Sequence, residues 1–174
     1  MAVIQMEVRR VLMVAAFALA MASGLRASDE PIDRESLRSL DGVRVAVEEV
    51  PANAPKDLDQ DSLLKFVEAR LETAHVPLQR HGEYPVGDPF LRVTMQTTPE
   101  TNEPTAGLTA YHIDVAFLQI VFVRRNPMLT FNRAQTWSAK ARMGIVPRGQ
   151  LVERIHKDLA EQLDQFIAAY RSVN

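Results

Sequence analysis

The sequence predicts an α/β (α+β) two-layer sandwich: a four-stranded sheet, element order β-α-β-β-β-α, with two helices packed on one face. Two observations carry this. Apolar residues recur with a period of two in four separate stretches and with the helical period in two others, and each helical stretch is apolar on one side only. Two one-sided helices need a sheet face to cover, and the order allows a strand–helix–strand crossover followed by a meander.

Residues 1–27 read as a secretory signal peptide. Arg9 and Arg10 precede an apolar run from Val11 to Ala22, and small residues follow, with cleavage expected after Ala22 or Ala27. A membrane-crossing helix needs about 20 apolar residues, so this run is short for an anchor. Residues 28–40 are charged and contain Pro31, which points to a flexible lead-in. Residues 41–174 then form a single α/β domain of ordinary size.

The first strand is DGVRVAVEEV, where Val43, Val45 and Val47 alternate with Arg44, Ala46 and Glu48. Pro51 and Pro55 break it. Asp59 or Asp61 offers an N-cap to a helix reaching His75, with Leu63, Leu64, Val67, Leu71 and Ala74 on its apolar side. Val76-Pro77 ends the helix, because a residue before proline avoids helical angles. After the turn-rich HGEYPVGDP comes a second strand, with Leu91, Val93 and Met95 alternating with Arg92, Thr94 and Gln96.

TTPETNEPTAG is polar and carries two prolines, as an exposed loop does. A third strand runs from about Thr109 to Arg124. The turn at Asn126-Pro127 leads into a fourth, from Phe131 to Met143, which should bring Trp137 close to Phe117. Beyond Pro147 and Gly149 lies a long helix whose stripe is Val152, Ile155, Leu159, Leu163, Phe166 and Tyr170. Its polar residues Glu153, Lys157, Asp158, Glu161 and Gln165 are expected away from that stripe.

Composition excludes several kinds of chemistry. With no cysteine, the chain has no disulfide, no thiol nucleophile, no zinc–thiolate site and no cysteine to carry a lipid tether. The formal net charge is −2, and removing residues 1–27 takes away three arginines and one glutamate. Such a balance gives no general attraction to nucleic acid or to an anionic surface.

Few residues are candidates for catalysis. His112 and Asp114 lie two apart on a strand and share a face, which could present an imidazole and a carboxylate to a metal or a proton. A site needs at least one further ligand or a positioned nucleophile, and neither H-E-x-x-H nor G-x-S-x-G occurs. The plainer reading is a solvated polar face. His75, His81 and His156 read as structural or exposed, and Ser138 lacks the flanking glycines of a nucleophile elbow. We therefore expect no catalytic residue, no metal ligand and no cofactor.

The second half of the third strand is apolar on both faces. Tyr111, Ile113, Val115 and Phe117 mark one face, and Leu118, Ile120 and Phe122 fall on the other. A β-bulge near Leu118-Gln119 would return all seven to the helix-covered face, and this is the favoured expectation. In a regular strand, Leu118, Ile120 and Phe122 emerge on the open face as an interaction surface, joined by Arg124 and Arg125. Arg133, Lys140, Arg142 and Arg148 could extend the positive charge around that hairpin.

At DGVRVAVEEVP, LTAYHIDVAFLQIVFVRRNP, AQTWS and LDQFIAAYRSVN the chain resembles a family of uncharacterised exported bacterial proteins, over about Leu40 to Asn174. That resemblance implies no activity and transfers no functional residue. The order of elements is similar to that of periplasmic assembly modules. Examples are the lipopolysaccharide-assembly lipoprotein and the N-terminal domain of the translocation protein that works with the Pal lipoprotein.

The expected function is a non-enzymatic periplasmic binding or envelope-assembly module, in the periplasm or secreted. Its partner would be an envelope protein or a second copy, with lipid or polysaccharide contact through the hairpin arginines as a further option and no nucleic acid. The alternative is a hydrolase or metal-dependent enzyme working from the His112/Asp114 face.

Overall fold

A computed structural model of the chain describes residues 28–48, 50–51, 54–79, 87–98 and 107–174. The expected signal peptide and the stretches 80–86, with His81, and 99–106 lie outside the described residues. Among the described residues no helix is long and apolar enough to cross a membrane.

In chain order the elements are α1 (Pro31–Arg34), β1 (Arg44–Glu48), α2 (Gln60–Thr73), β2 (Phe90–Thr97), β3 (Leu108–Val123), β4 (Asn126–Ser138), β5 (Arg142–Pro147) and α3 (Leu151–Val173). The result is an α+β sandwich with a five-stranded sheet. β1 and β2 are parallel and joined through α2, whereas β2 and β3 are antiparallel. Both β4 and β5 pair with β3 on its other side.

The expected fourth strand is thus two strands. It breaks at Ala139–Ala141, and α3 takes over the backbone groups the break releases. The Gln165 side-chain oxygen accepts from the Lys140 amide at 3.0 Å, and the Gln162 amide donates to the Lys140 carbonyl at 3.1 Å and to the Ile113 carbonyl at 3.1 Å. Gln162 is fully buried, so these bonds satisfy both sides of the gap.

Asp59 caps α2, its carboxylate accepting from the Ser62 amide at 2.8 Å. The helix closes with His75 in the left-handed region, φ 59°, and the Val76 amide donates to the Leu71 carbonyl at 3.0 Å. Leu63, Val67 and Leu71 of α2 and Ile155, Leu159, Leu163 and Phe166 of α3 share one core with Val47, Leu91, Val93, Met95, Ile113, Val115, Phe117 and Trp137. Phe117 and Trp137 are direct cross-strand partners as expected, although the turn falls at Arg124–Arg125 rather than Asn126-Pro127, and additional residues on β4 bring Trp137 into line. Phe166 locks over both, at 6.1 Å from Phe117 and 5.3 Å from Trp137 between ring centroids.

The expected flexible lead-in, 28–40, is folded. α1 and a following 3₁₀ turn, Glu35–Leu37, bury Leu37 completely. The Asn174 amide at the end of α3 donates to the Leu37 carbonyl at 2.8 Å, and the Ser39 amide donates back to Asn174 at 2.7 Å. One buried leucine and these long-range bonds outweigh the polar composition.

The favoured bulge in β3 is also corrected. β3 keeps a regular register with β2 through Leu118, so its parity never reverses. The register shifts against β4 all place the additional residues on β4, at Thr136, around Arg133 (φ 60°) and near the turn. Leu118 therefore points away from the helices, where it packs with Phe90 and Ala116 in a second small cluster.

Candidate functional site

His112 and Asp114 lie on the sheet face opposite the helices, but they are not solvated. They are 6% and 3% exposed, and Thr94 and Ser138 beside them are also buried. Asp114 faces Thr94 of β2, and Ala116, two residues on, faces Ser138 of β4. His112 lies between Gln96 of β2 and Met143 of β5. A half-covered sheet was expected to leave this row wet. Among the described residues no group of three or more His, Asp or Glu could hold a metal ion.

A second polar cluster sits in the helix-side core. The Tyr111 hydroxyl donates to Asp158 Oδ2 at 2.6 Å, and Arg154 Nε donates to the Tyr111 oxygen at 2.9 Å and to Asp158 at 3.2 Å. Burial, and then the hydrogen bond to Asp158, raise the Tyr111 pKa above its ordinary value. The Tyr111 hydroxyl, followed by its charge and that of Asp158, raises the Arg154 pKa. Asp158 is 1% exposed although the helical pattern set it off the stripe. The signal for it was the core-facing Tyr111 itself, whose buried hydroxyl needs a partner. Opposite Tyr111 stands Gly144, where a Cβ would lie 2.9 Å from the tyrosine oxygen. Within the triad Tyr111 and Asp158 are buried and Arg154 reaches solvent.

His156 stacks on Phe66 with ring centroids 4.9 Å apart, which makes it a packing group between α3 and α2. His75 ends α2. Neither is brought near His112 and Asp114 by any contact among the described residues.

The expected interaction surface divides. Leu118 is buried, Ile120 is half-buried with its amide donating to the Gly87 carbonyl at 2.7 Å, and Phe122 is 65% exposed. Arg124 and Arg125 are exposed at the turn. Among the described residues, from about Val121 the β3–β4 hairpin runs on beyond β2 as a two-stranded arm.

The returning strand adds apolar residues that sequence patterning assigned to no surface. Met128 is 89%, Leu129 50% and Phe131 58% exposed. Val121 pairs with Phe131 and Phe122 with Thr130, so large apolar side chains occupy both faces of the arm. At its base, the guanidinium groups of Arg44 and Arg133 stand over the buried Phe90 ring at 5.2 and 5.5 Å, and Arg133 lies 3.9 Å from Glu48.

No protein-family model matches this chain, and no curated protein does. Among solved structures it is similar to a minor lipoprotein from Acinetobacter baumannii, at 19% identity and a TM-score of 0.36 over 74% of this chain and 95% of that one. A second likeness is to the rare lipoprotein B from Shewanella oneidensis, at 15% identity and a TM-score of 0.32 over 74% and 96%. At these TM-scores neither likeness bears on the role of the chain, which rests on its own residues.

Proposed function

We propose that this chain is a non-enzymatic binding or assembly module of the bacterial envelope, exported through residues 1–27, and that the β3–β4 arm is its docking element. One observation carries the reading: Phe122, Met128, Leu129 and Phe131 stand exposed on a projection that the layered core does not use. Contiguous exposed apolar surface of this kind marks interaction sites in folded proteins. The alternative, an enzyme working from His112 and Asp114, has less support because both side chains are buried.

A photo-reactive amino acid placed at Met128 and activated in intact cells tests the reading, with Ile32, 78% exposed on α1, as the control position. Adducts to an envelope component from position 128 and not from 32 are expected. Equal labelling from both, or none from 128, would count against a docking arm.

A further inference from the structure

The arm carries a charge pattern as well as an apolar one. From Val121 to Ser138, the arm and the strand that returns from it, the chain has three Arg residues and no Asp or Glu, in a protein whose formal charge is negative. Among the described residues no carboxylate lies within ion-pair distance of Arg124 or Arg125 at the tip. The leading end therefore presents two unneutralised guanidinium groups, between Phe122 on the outgoing strand and Met128, Leu129 and Phe131 on the returning one.

Resting on the reading of the arm as a docking element, we propose that its occupant is the surface of an anionic phospholipid bilayer. Charge complementarity is the first argument, since guanidinium groups bind phosphate oxygens with two donors at once. Distribution of the apolar residues is the second. A protein groove covers one face of a ribbon, whereas this ribbon is apolar on both, which suits a medium that surrounds it. Depth follows from the backbone. A two-stranded ribbon has unpaired amides and carbonyls on its outer edges, and these cannot enter the hydrocarbon core. The arm must stay at headgroup level and lie along the interface rather than enter tip first, with its Phe and Leu side chains reaching the acyl boundary and the tip arginines among the phosphates.

Co-sedimentation of the purified protein with vesicles tests this. Vesicles of phosphatidylethanolamine with phosphatidylglycerol should bind the protein, and phosphatidylcholine vesicles should bind it far less. Raised salt should weaken the binding. Each arginine near an anionic surface contributes about fivefold, so R124Q/R125Q should lose about 25-fold in partitioning. Met128→Ser with Phe131→Ser should also reduce binding, while Lys157→Gln on the exposed side of α3 should not.

Equal binding to both vesicle types, or arm variants that bind as the parent does, would overturn the proposal. So would a parent protein that ignores vesicles and forms a dimer which the arm variants dissolve, because a second copy would then be the occupant. Absence of vesicle binding together with a protein adduct at position 128 removes the lipid inference and leaves the docking reading standing. Absence of both removes both.

Discussion

The indole Nε1–H of Trp137 donates to Asp29 Oδ1 at 2.8 Å, which ties the end of β4 to the start of the described chain. The same carboxylate takes two bonds from Arg34, each 2.8 Å. Trp137 is fully buried, so the bond matters through what its loss would strand. Asp29→Ala should destabilise the domain by about 1–3 kcal/mol, the penalty of an unsatisfied buried donor. Asp29→Asn keeps an acceptor and should cost less. Urea melts followed by tryptophan emission check the order, and two equal losses would contradict it.

Next to that bond lies the expected mature start. The Ser28 amide and hydroxyl both donate to Asp33 Oδ2, at 3.0 and 2.9 Å. Cleavage after Ala27 would turn that amide into an ammonium facing a carboxylate. Intact mass of the exported protein should begin at Ser28; a start at Ser23 would select cleavage after Ala22.

The Tyr111–Asp158 bond predicts a pH dependence. Tyr111 has a raised pKa, so the native state holds its proton more tightly than the unfolded chain does. Its contribution is whole below the ordinary tyrosine value of about 10 and is lost as pH rises through the higher folded value. Tyr111→Phe should cost about 1.5–3 kcal/mol at neutral pH, and the gap between parent and variant should narrow at pH 11. A gap that widens there would contradict the sign.

Gly144 gives the fourth test. A Cβ there meets the Tyr111 ring at 2.9 to 3.1 Å, and Asp158 and Arg154 hold that ring in place. Gly144→Ala should destabilise by about 1–3 kcal/mol, as overpacking does. In a Tyr111→Ala background the same change should cost little, because the obstructing ring is gone.

Leu118 and Phe122 lie on the same side of β3 but differ in cover. Leu118 is 4% and Phe122 65% exposed. Leu118→Asp should unfold the domain by burying an unpaired charge, whereas Phe122→Asp should shift stability by no more than about 0.5 kcal/mol. Circular dichroism and a thermal midpoint distinguish them, and equal effects would contradict the regular-strand arrangement.

Local chemistry made much of this fold legible. The alternation of Val43, Val45 and Val47, the Asp59 cap and a tight turn just before Pro127 each act within a few residues. The return of the chain was legible, but the exact facing of Trp137 and Phe117 also needs the additional residues that β4 carries. The features that were not legible depend on distant partners. A strand from Phe131 to Met143 reads as continuous until Gln162 and Gln165 of α3 take its backbone groups at Lys140. Asp158 reads as solvent-facing until Tyr111 is opposite it. A bulge is a count of one strand against another, so the pattern of β3 alone could not say that the additional residues lie on β4. Of the candidate surface, Arg124 and Arg125 were legible as exposed and Phe122 only in the less favoured regular strand, while Met128, Leu129 and Phe131 became so only once the arm was seen to outrun β2.

The central claim is that the arm docks and the core does not need it. The most direct measurement is cell fractionation of a variant with Phe122, Met128, Leu129 and Phe131 all replaced by threonine, alongside its thermal midpoint. The account predicts a folded protein with a near-parental midpoint that leaves the membrane fraction for the periplasmic fluid. A folded variant that fractionates with membranes as the parent does, or one that fails to fold, would contradict it.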